Sequence, residues 1–302
     1  MIEIRRILCP VDFSECSRHA FDYAAAIARW YGSAITMLYV QPLVPLAAVA
    51  PGAPAFPAYV MTAAERSALI AGMRRLAEGE AGANPVVDYQ VAEGSVGVEI
   101  LALAEKLSCD LMVMGTHGRS GFDRLLLGSV TERILRKAAC PVLVVPPRAP
   151  DAVPLAPVFR RILCAVDFSD CSLKALDFAI SLAEEADARL TVLHVVEFMP
   201  EEEEVLTGTP DTVRKFVAET EAERRRRLDA LVPGAVRSYC TVETEMARGK
   251  PGRAILRVAA ERAADLIVLG VHGRGAADLA VFGSTTQHVV RAAACPVLTL
   301  RD

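Results

Sequence analysis

A chain of 302 residues with 53% hydrophobic and 23% charged residues has room for about two domains and lies outside the low-hydrophobicity, high-charge range of disordered segments. Its formal net charge of −4 and aromatic content of 6% exclude the basic, aromatic-studded surface of a general nucleic-acid binder. Mean hydropathy is +0.32, yet the apolar runs, such as 34–40 and 111–114, are of strand length and fall short of the roughly 18 to 20 residues that a spanning helix needs.

The N-terminus, MIEIRRILCPVDFS, has an early Glu and a short apolar stretch where a secretory signal has a basic start and a longer apolar core. A cytoplasmic location without membrane contact is expected. There are eight cysteines and no CxxC pair, and several cysteines sit inside apolar strand-like runs, as Cys9 and Cys164 do. Reduced, buried thiols are expected. A redox role for the pairs Cys9/Cys16 and Cys164/Cys171 is the alternative, since pairing needs a geometry that sequence does not display.

The chain repeats itself. Arg6-Ile-Leu-Cys-Pro-Val-Asp-Phe-Ser-Glu-Cys-Ser17 returns as Arg161-Ile-Leu-Cys-Ala-Val-Asp-Phe-Ser-Asp-Cys-Ser172, identical at ten of twelve positions with an offset of 155 residues. The same offset carries Gly115, Gly118, Gly128 and Ser129 onto Gly270, Gly273, Gly283 and Ser284, and 138–143 onto an identical 293–298. Two copies of one fold follow. In the first copy, short β-branched runs near 5–11, 34–40, 86–92, 110–115 and 142–145 alternate with helical periods near 15–31, 62–79, 96–107 and 130–139. This alternation predicts an α/β fold in which each copy is a doubly wound, five-stranded parallel sheet with helical crossovers. Its ligand crevice should lie at the carboxyl ends of the strands, where the winding reverses. The expected division is a first domain at 1–147, a Pro-rich linker at 148–158 and a second domain at 159–302. The copies differ most after the second strand, where 42–59 is rich in Pro and Ala while 201–204 is a run of four acids. Both stretches read as irregular loops.

The fourth strand of the first copy runs into Gly115-Thr-His-Gly118-Arg119, and after the nine residues that follow Gly118 comes Gly128-Ser129-Val-Thr-Glu132 at a helix start. The second copy has Gly270-Val-His-Gly273-Arg274 and Gly283-Ser284-Thr-Thr-Gln287. Gly118 and Gly128 permit close backbone approach or positive φ. Ser129 with Glu132, and Ser284 with Gln287, have capping-box spacing. A helix start offers free N–H groups and the positive end of the dipole to an anion, and Arg119 and Arg274 add donors suited to phosphate oxygens. Glycines also flank strands in proteins without ligands, so the weight rests on the full Gly-x2-Gly-x9-Gly-Ser pattern occurring twice. Asp12 and Asp167 end the first strand of each copy, just before the expected helix caps Ser14 and Ser169. Each either meets a ribose hydroxyl or adenine amino group or helps to cap its own helix.

VDFSECS, the glycine pattern and a closing Cys-Pro-Val-Leu strand together resemble the universal stress protein family, here as a tandem two-domain member matched over nearly the whole chain. The resemblance implies the adenine-nucleotide α-hydrolase-like fold with strand order 3-2-1-4-5. In the ATP-binding branch of the family it implies a nucleotide, ATP, ADP or AMP, with Mg²⁺ carried by the nucleotide. Carried over residue by residue, it places Val11 and Asp12 at the adenosine and Val40 at the adenine. Met114, Gly115, His117, Gly118 and Arg119 lie along the ribose and phosphates, and Gly128, Ser129 and Val130 complete the cradle. The second set is Val166, Asp167, Val195, Leu269, Gly270, His272, Gly273, Arg274, Gly283, Ser284 and Thr285. The copies are not identical: Pro10, Gly121, Arg124 and Val130 face Ala165, Ala276, Leu279 and Thr285, so the second lacks one phosphate-side Arg. The family also pairs through its last strand, which implies packing of 142–145 against 297–300 within this chain and leaves a further homodimer open.

The expected function is that of a nucleotide-binding regulatory protein of the stress response, with at most slow hydrolysis. A weak ATPase is one alternative. The other is a scaffold that binds an unidentified protein partner and whose pockets hold another ligand or none. No GxxxxGK[ST] loop, SGGxDS-type loop or HExxH site is present, and neither catalytic nor metal-ligating residues are assigned. The run Arg224 to Arg227, preceded by Glu219, Glu221 and Glu223, reads as a charge-paired solvent face rather than a nucleic-acid patch.

Overall fold

The protein's structure, a computed structural model, describes residues 2–43, 61–78, 85–117, 127–147, 149, 158–197, 210–234, 236, 240–272 and 283–301, with the backbone alone for 210–217. The chain divides into two compact units, Glu3–Val158 and Phe159–Leu300. The linker expected at 148–158 and the loops expected at 42–59 and 201–204 lie almost wholly outside the described residues.

The first unit runs β1 (Arg6–Pro10), α1 (Glu15–Tyr31), β2 (Ala34–Pro42), α2 (Ala63–Ala77), β3 (Val87–Gly94), α3 (Val96–Leu107), β4 (Leu111–Gly115), α4 (Ser129–Lys137) and β5 (Val142–Val145). Its strands lie in the order β3-β2-β1-β4-β5, all parallel. The second unit repeats this plan with β6 (Arg161–Ala165), α5 (Asp170–Ala186), β7 (Arg189–Val196), α6 (Pro210–Ala230), β8 (Thr241–Arg248), α7 (Pro251–Glu261), β9 (Leu266–Gly270), α8 (Ser284–Ala292) and β10 (Val297–Leu300). Its order is β8-β7-β6-β9-β10, again parallel. This is the doubly wound arrangement that the alternation of strand and helix periods predicts, with the 3-2-1-4-5 order of the resemblance.

Burial explains why the central strands read as unbroken apolar runs. Ile7, Leu8 and Cys9 of β1 and Leu111 to Met114 of β4 are all buried, because helices cover both faces of a parallel sheet and leave no polar side for alternation. The outermost strand β3 is half-buried along its length, apart from an exposed Asp88. Register is pinned at the amino ends by one carboxylate per unit. Asp110 Oδ2 accepts from the amides of Arg5 (2.9 Å) and Arg6 (2.8 Å), and Asp265 Oδ1 accepts from those of Arg160 (3.1 Å) and Arg161 (2.9 Å). Each bond ties the start of the central strand to that of its neighbour. Among the described residues no helix is long and apolar enough to cross a membrane.

All eight cysteines are free thiols, and three of them make the fold sensitive to alkali. Burial pushes the thiols of Cys9 and Cys295 up to about 12, and that of Cys164 up further. A thiol with a higher pKa folded than unfolded supports the fold fully below its unfolded value, about 8.5, and that support is lost as pH rises toward the folded value. Urea unfolding is therefore expected to lose about 1.4 kcal/mol per pH unit for each such thiol above about pH 9. A Cys9→Ala, Cys295→Ala variant should show a shallower slope; an unchanged slope would place the titration elsewhere.

Candidate functional site

The carboxyl ends of β1, β2 and β4 are neighbours in the sheet, and the described candidate residues of each unit lie at these ends or at the helix starts beside them. Past the end of β1 the ladder continues for one more bond, from Val11 N to Leu38 O (2.8 Å), matched by Val166 N to Leu193 O (2.8 Å). The chain then turns through Phe13 and Phe168, both in the left-handed region (φ 63° and 64°), a conformation that costs a bulky residue energy and persists only when surroundings enforce it. The enforcement is local. Asp12 Oδ1 accepts from the amide (3.0 Å) and hydroxyl (2.6 Å) of Ser14, and Ser14 Oγ accepts from Ser17 N (3.2 Å) as the N-cap of α1. Asp167, Ser169 and Ser172 repeat the set at 3.0, 2.5 and 3.3 Å. Of the two roles left open for Asp12 and Asp167, the structure therefore displays the capping one.

The end of β4 is locked onto the start of α4. Gly128 N donates to Thr116 O (3.0 Å), and Thr131 Oγ1 donates to Gly115 O (3.1 Å). In the second unit Gly283 N donates to Val271 O (3.2 Å) and Thr286 Oγ1 to Gly270 O (2.8 Å). This clamp corrects two expectations. The N-cap of α4 is Gly128, with Ser129 already the first helical residue, so Ser129 and Glu132 form no capping box; Glu132 instead pairs with Arg136 one turn on. Ser284 likewise follows an N-cap Gly283, and no box forms with Gln287. Nor does Gly128 adopt positive φ, for its φ is −61°. Glycine fits there because a Cβ would be crowded at 3.0 Å from Thr116 O, and at Gly283 3.0 Å from Val271 O, so that the backbone would have to give by a few tenths of an ångström.

The clamp leaves both helix starts exposed at Ser129 and Ser284, with first-turn amides that a glycine cap cannot satisfy by a side chain. The α1 and α5 starts are closed by their own serines. Beside the α4 start, His117 Nδ1 bonds Thr116 Oγ1 (2.9 Å), while its Nε2 is buried with no hydrogen-bond partner among the described residues. His272, its counterpart, is buried.

 Met114, Val11 and Val40 are buried, as are Leu269 and Val166, and Val195 is half-buried. Gly115 and Gly270 serve packing as well. A Cβ at Gly115 would lie 3.1 Å from the carbonyl oxygen of Cys16 in α1, and one at Gly270 would lie 3.0 Å from the carbonyl carbon of Cys171. The strand end thus rests directly on the first turn of the helix that Asp12 or Asp167 organises. Gly118, Arg119, Gly273 and Arg274, like Gly121, Arg124, Ala276 and Leu279, lie outside the described residues.

Thr131 and Thr286 escaped the sequence reading, although a Thr two residues after Ser129 and Ser284 recurs at the 155-residue offset. So did the wall beside Phe13. In the first unit Gly72 of α2 sits against the Phe13 ring, to which a Cβ would come within 3.1 Å, and Tyr39 lies 5.2 Å from that ring, centroid to centroid. In the second unit the equivalent of Gly72 is Arg227, whose guanidinium lies 4.3 Å above the Phe168 ring, and His194 takes the place of Tyr39 at 4.5 Å. Two other arginines of that run are also engaged: Arg226 pairs with Glu223 (2.6 Å), and Arg225 donates to Thr244 O (3.1 Å).

Fold and site together define a tandem, doubly wound α/β protein whose units each present a glycine-bounded helix start at the strand ends. The chain belongs to the universal stress protein family, whose model matches residues 3–146 and again 159–301. Universal stress protein MJ0531 of Methanocaldococcus jannaschii is 34% identical over 145 residues, 47% of this chain and 81% of its own. Universal stress protein Mb2019 of Mycobacterium bovis is 28% identical over 316 residues, 98% of this chain and 94% of its own. The crystal structure of a universal stress protein from Archaeoglobus fulgidus shares the fold, with a TM-score of 0.66 at 24% identity over 98% of this chain and 96% of that one.

Proposed function

We propose that each repeat binds an adenine nucleotide, ATP or its products ADP and AMP, and that the chain acts as a regulatory protein of the stress response. The observation that carries this reading is the duplicated clamp: in both units a helix start is pinned to the end of the fourth strand at a glycine packed tightly against a backbone carbonyl. Its first-turn amides then point to solvent beside the positive end of the helix dipole, an arrangement suited to phosphate. The Nε2 of His117, buried and without a hydrogen-bond partner among the described residues, fits a phosphate or ribose oxygen in the same place.

In this reading Val11, Asp12 and Val40, with Val166, Asp167 and Val195, hold the nucleoside. The phosphates fall to His117, Gly118, Arg119, Ser129 and Val130, and to His272, Gly273, Arg274, Ser284 and Thr285. Bound ATP supplies a triphosphate that brings its own Mg²⁺ and needs no protein cage for it. In this reading hydrolysis is slow at most, since no residue is assigned as a general base and Asp12 Oδ1 accepts from the amide and hydroxyl of Ser14 as an organiser of the turn.

Denaturing the purified protein and quantifying the released nucleotides by chromatography tests the proposal. Near-stoichiometric ATP, ADP or AMP is expected, together with a rise in melting temperature when ATP is added to stripped protein. No released nucleotide and no shift would leave the scaffold reading in its place.

A further inference from the structure

The sequence directs attention to Cys9/Cys16 and Cys164/Cys171, but the close pair in the structure is a different one. Cys109 Sγ and Cys140 Sγ lie 3.2 Å apart, although the two residues are 31 positions apart in sequence. Both sit at the amino end of the sheet in the first unit, opposite to the strand ends described above: Cys109 precedes β4 and Cys140 precedes β5. Their backbones are fixed. Cys109 N donates to Ala104 O (3.0 Å) beyond the left-handed C-cap Ser108, and Met112 N donates to Pro141 O (2.9 Å). We propose that Cys109 and Cys140 are a redox-active pair that a hydroperoxide converts to an intramolecular disulfide.

Closing the bond requires the sulfurs to approach by about 1.2 Å, to a length near 2.05 Å, a shift within the reach of χ1 adjustments at two held backbones. The two thiols are unequal. The hydrogen bond from Cys109, with those from the amides of Cys140 and Met112, holds the Cys140 thiol below its usual value, whereas that same bond and burial push Cys109 up. Cys140 is also the more accessible: it is half-buried and Cys109 is buried. Cys140 is therefore the attacking thiolate. Its sulfur takes the distal oxygen of the hydroperoxide, the O–O bond breaks, and the leaving oxygen departs as water or alcohol after gaining a proton, with Cys140 now a sulfenic acid. The Cys109 sulfur then attacks Cys140 Sγ and gives up its proton. The S–O bond breaks and hydroxide leaves as water. Two thiols and one hydroperoxide thus give a disulfide, one water and one further water or alcohol, with two electrons passing from sulfur to oxygen.

Among the described residues no group of three or more His, Cys, Asp or Glu side chains is placed to hold a metal ion. The second unit provides an internal control, because at the 155-residue offset Cys140 becomes Cys295 while Cys109 becomes Ala264.

Exposing the folded full-length chain to excess hydrogen peroxide, then alkylating under denaturing conditions, tests the proposal. The free-thiol count is expected to fall from eight by two, and trypsin should release 107–119 joined to 138–148 in a link that a reducing agent breaks. In Cys109→Ala the reaction should stop at a sulfenic acid that dimedone labels on 138–148, and in Cys140→Ala Cys109 should remain a thiol. Eight thiols remaining in the wild type, or a crosslink joining other peptides, would overturn the proposal without need of either variant. Dimedone labelling of Cys109 in Cys140→Ala at the same rate would overturn the assigned order of attack. None of these readouts depends on nucleotide binding.

Discussion

Placing a carboxylate at the first helical position of both repeats, Ser129→Asp with Ser284→Asp, is expected to lower adenine-nucleotide affinity by about two orders of magnitude while leaving the melting temperature equal or slightly raised. Both serines are exposed and follow glycine N-caps, so neither substitution disturbs the core. An Asp in the first turn interacts favourably with the helix dipole, by about 0.3 to 1 kcal/mol. The same charge faces any phosphate seated on those amides. At about 4 Å and an effective dielectric constant near 20 the repulsion is about 4 kcal/mol, and solvent at this exposed position brings it nearer 3 kcal/mol, which corresponds to the loss stated. Isothermal titration with ATP and a thermal melt of the same sample separate the two effects. Wild-type affinity in a fully folded variant would move the phosphates away from the helix starts; lost stability would contradict the geometry of the caps.

The second large effect is structural. Gly270→Ala is expected to destabilise the protein by about 1 to 3 kcal/mol, the usual cost of overpacking, and to lower the melting temperature by several degrees. The new Cβ would lie 2.9 Å from Cys171 Sγ, 3.0 Å from the Cys171 carbonyl carbon and 3.0 Å from Ser172 N. A thiol can rotate away, but the two backbone atoms belong to the first turn of α5, which Ser169 and Asp167 hold in place. Either β9 or α5 must move. Gly234→Ala is the control, since a Cβ there meets nothing within 4 Å and the backbone is not left-handed; it should be neutral or slightly stabilising. Equal melting temperatures for the two variants would show that the strand end and the helix are not in rigid contact.

The framework was legible because it rests on local pattern. Strand runs at 34–40 and 142–145 and helix periods at 15–31 and 96–107 coincide with β2, β5, α1 and α3 to within two residues, and Ser14 and Ser169 are the caps that their position before the helices implies. At the strand ends, the order of strand and helix was legible, and the bonds that join them were less so. Ser-x-x-Glu at 129–132 has the spacing of a capping box, but Gly128 has to lie outside the helix to reach Thr116 O, which moves the cap back by one residue and frees Glu132 for Arg136. The Cys109/Cys140 contact could not be read at all, because it arises from the pairing of β4 with β5 and leaves no short-range spacing. The stacking of Arg227 on Phe168 was hidden for a related reason: in sequence Arg227 is one of four consecutive arginines, and only the path of α6 distinguishes it.

That last pair of residues has a consequence for how the protein is supplied. Gly72 beside Phe13 and Arg227 over Phe168 make the two mouths chemically unlike, one with a glycine against its phenylalanine ring, the other with a guanidinium over it. Two separate genes would deliver two such mouths in whatever ratio their expression happened to take. Written in series on one polypeptide, they are made in fixed one-to-one stoichiometry.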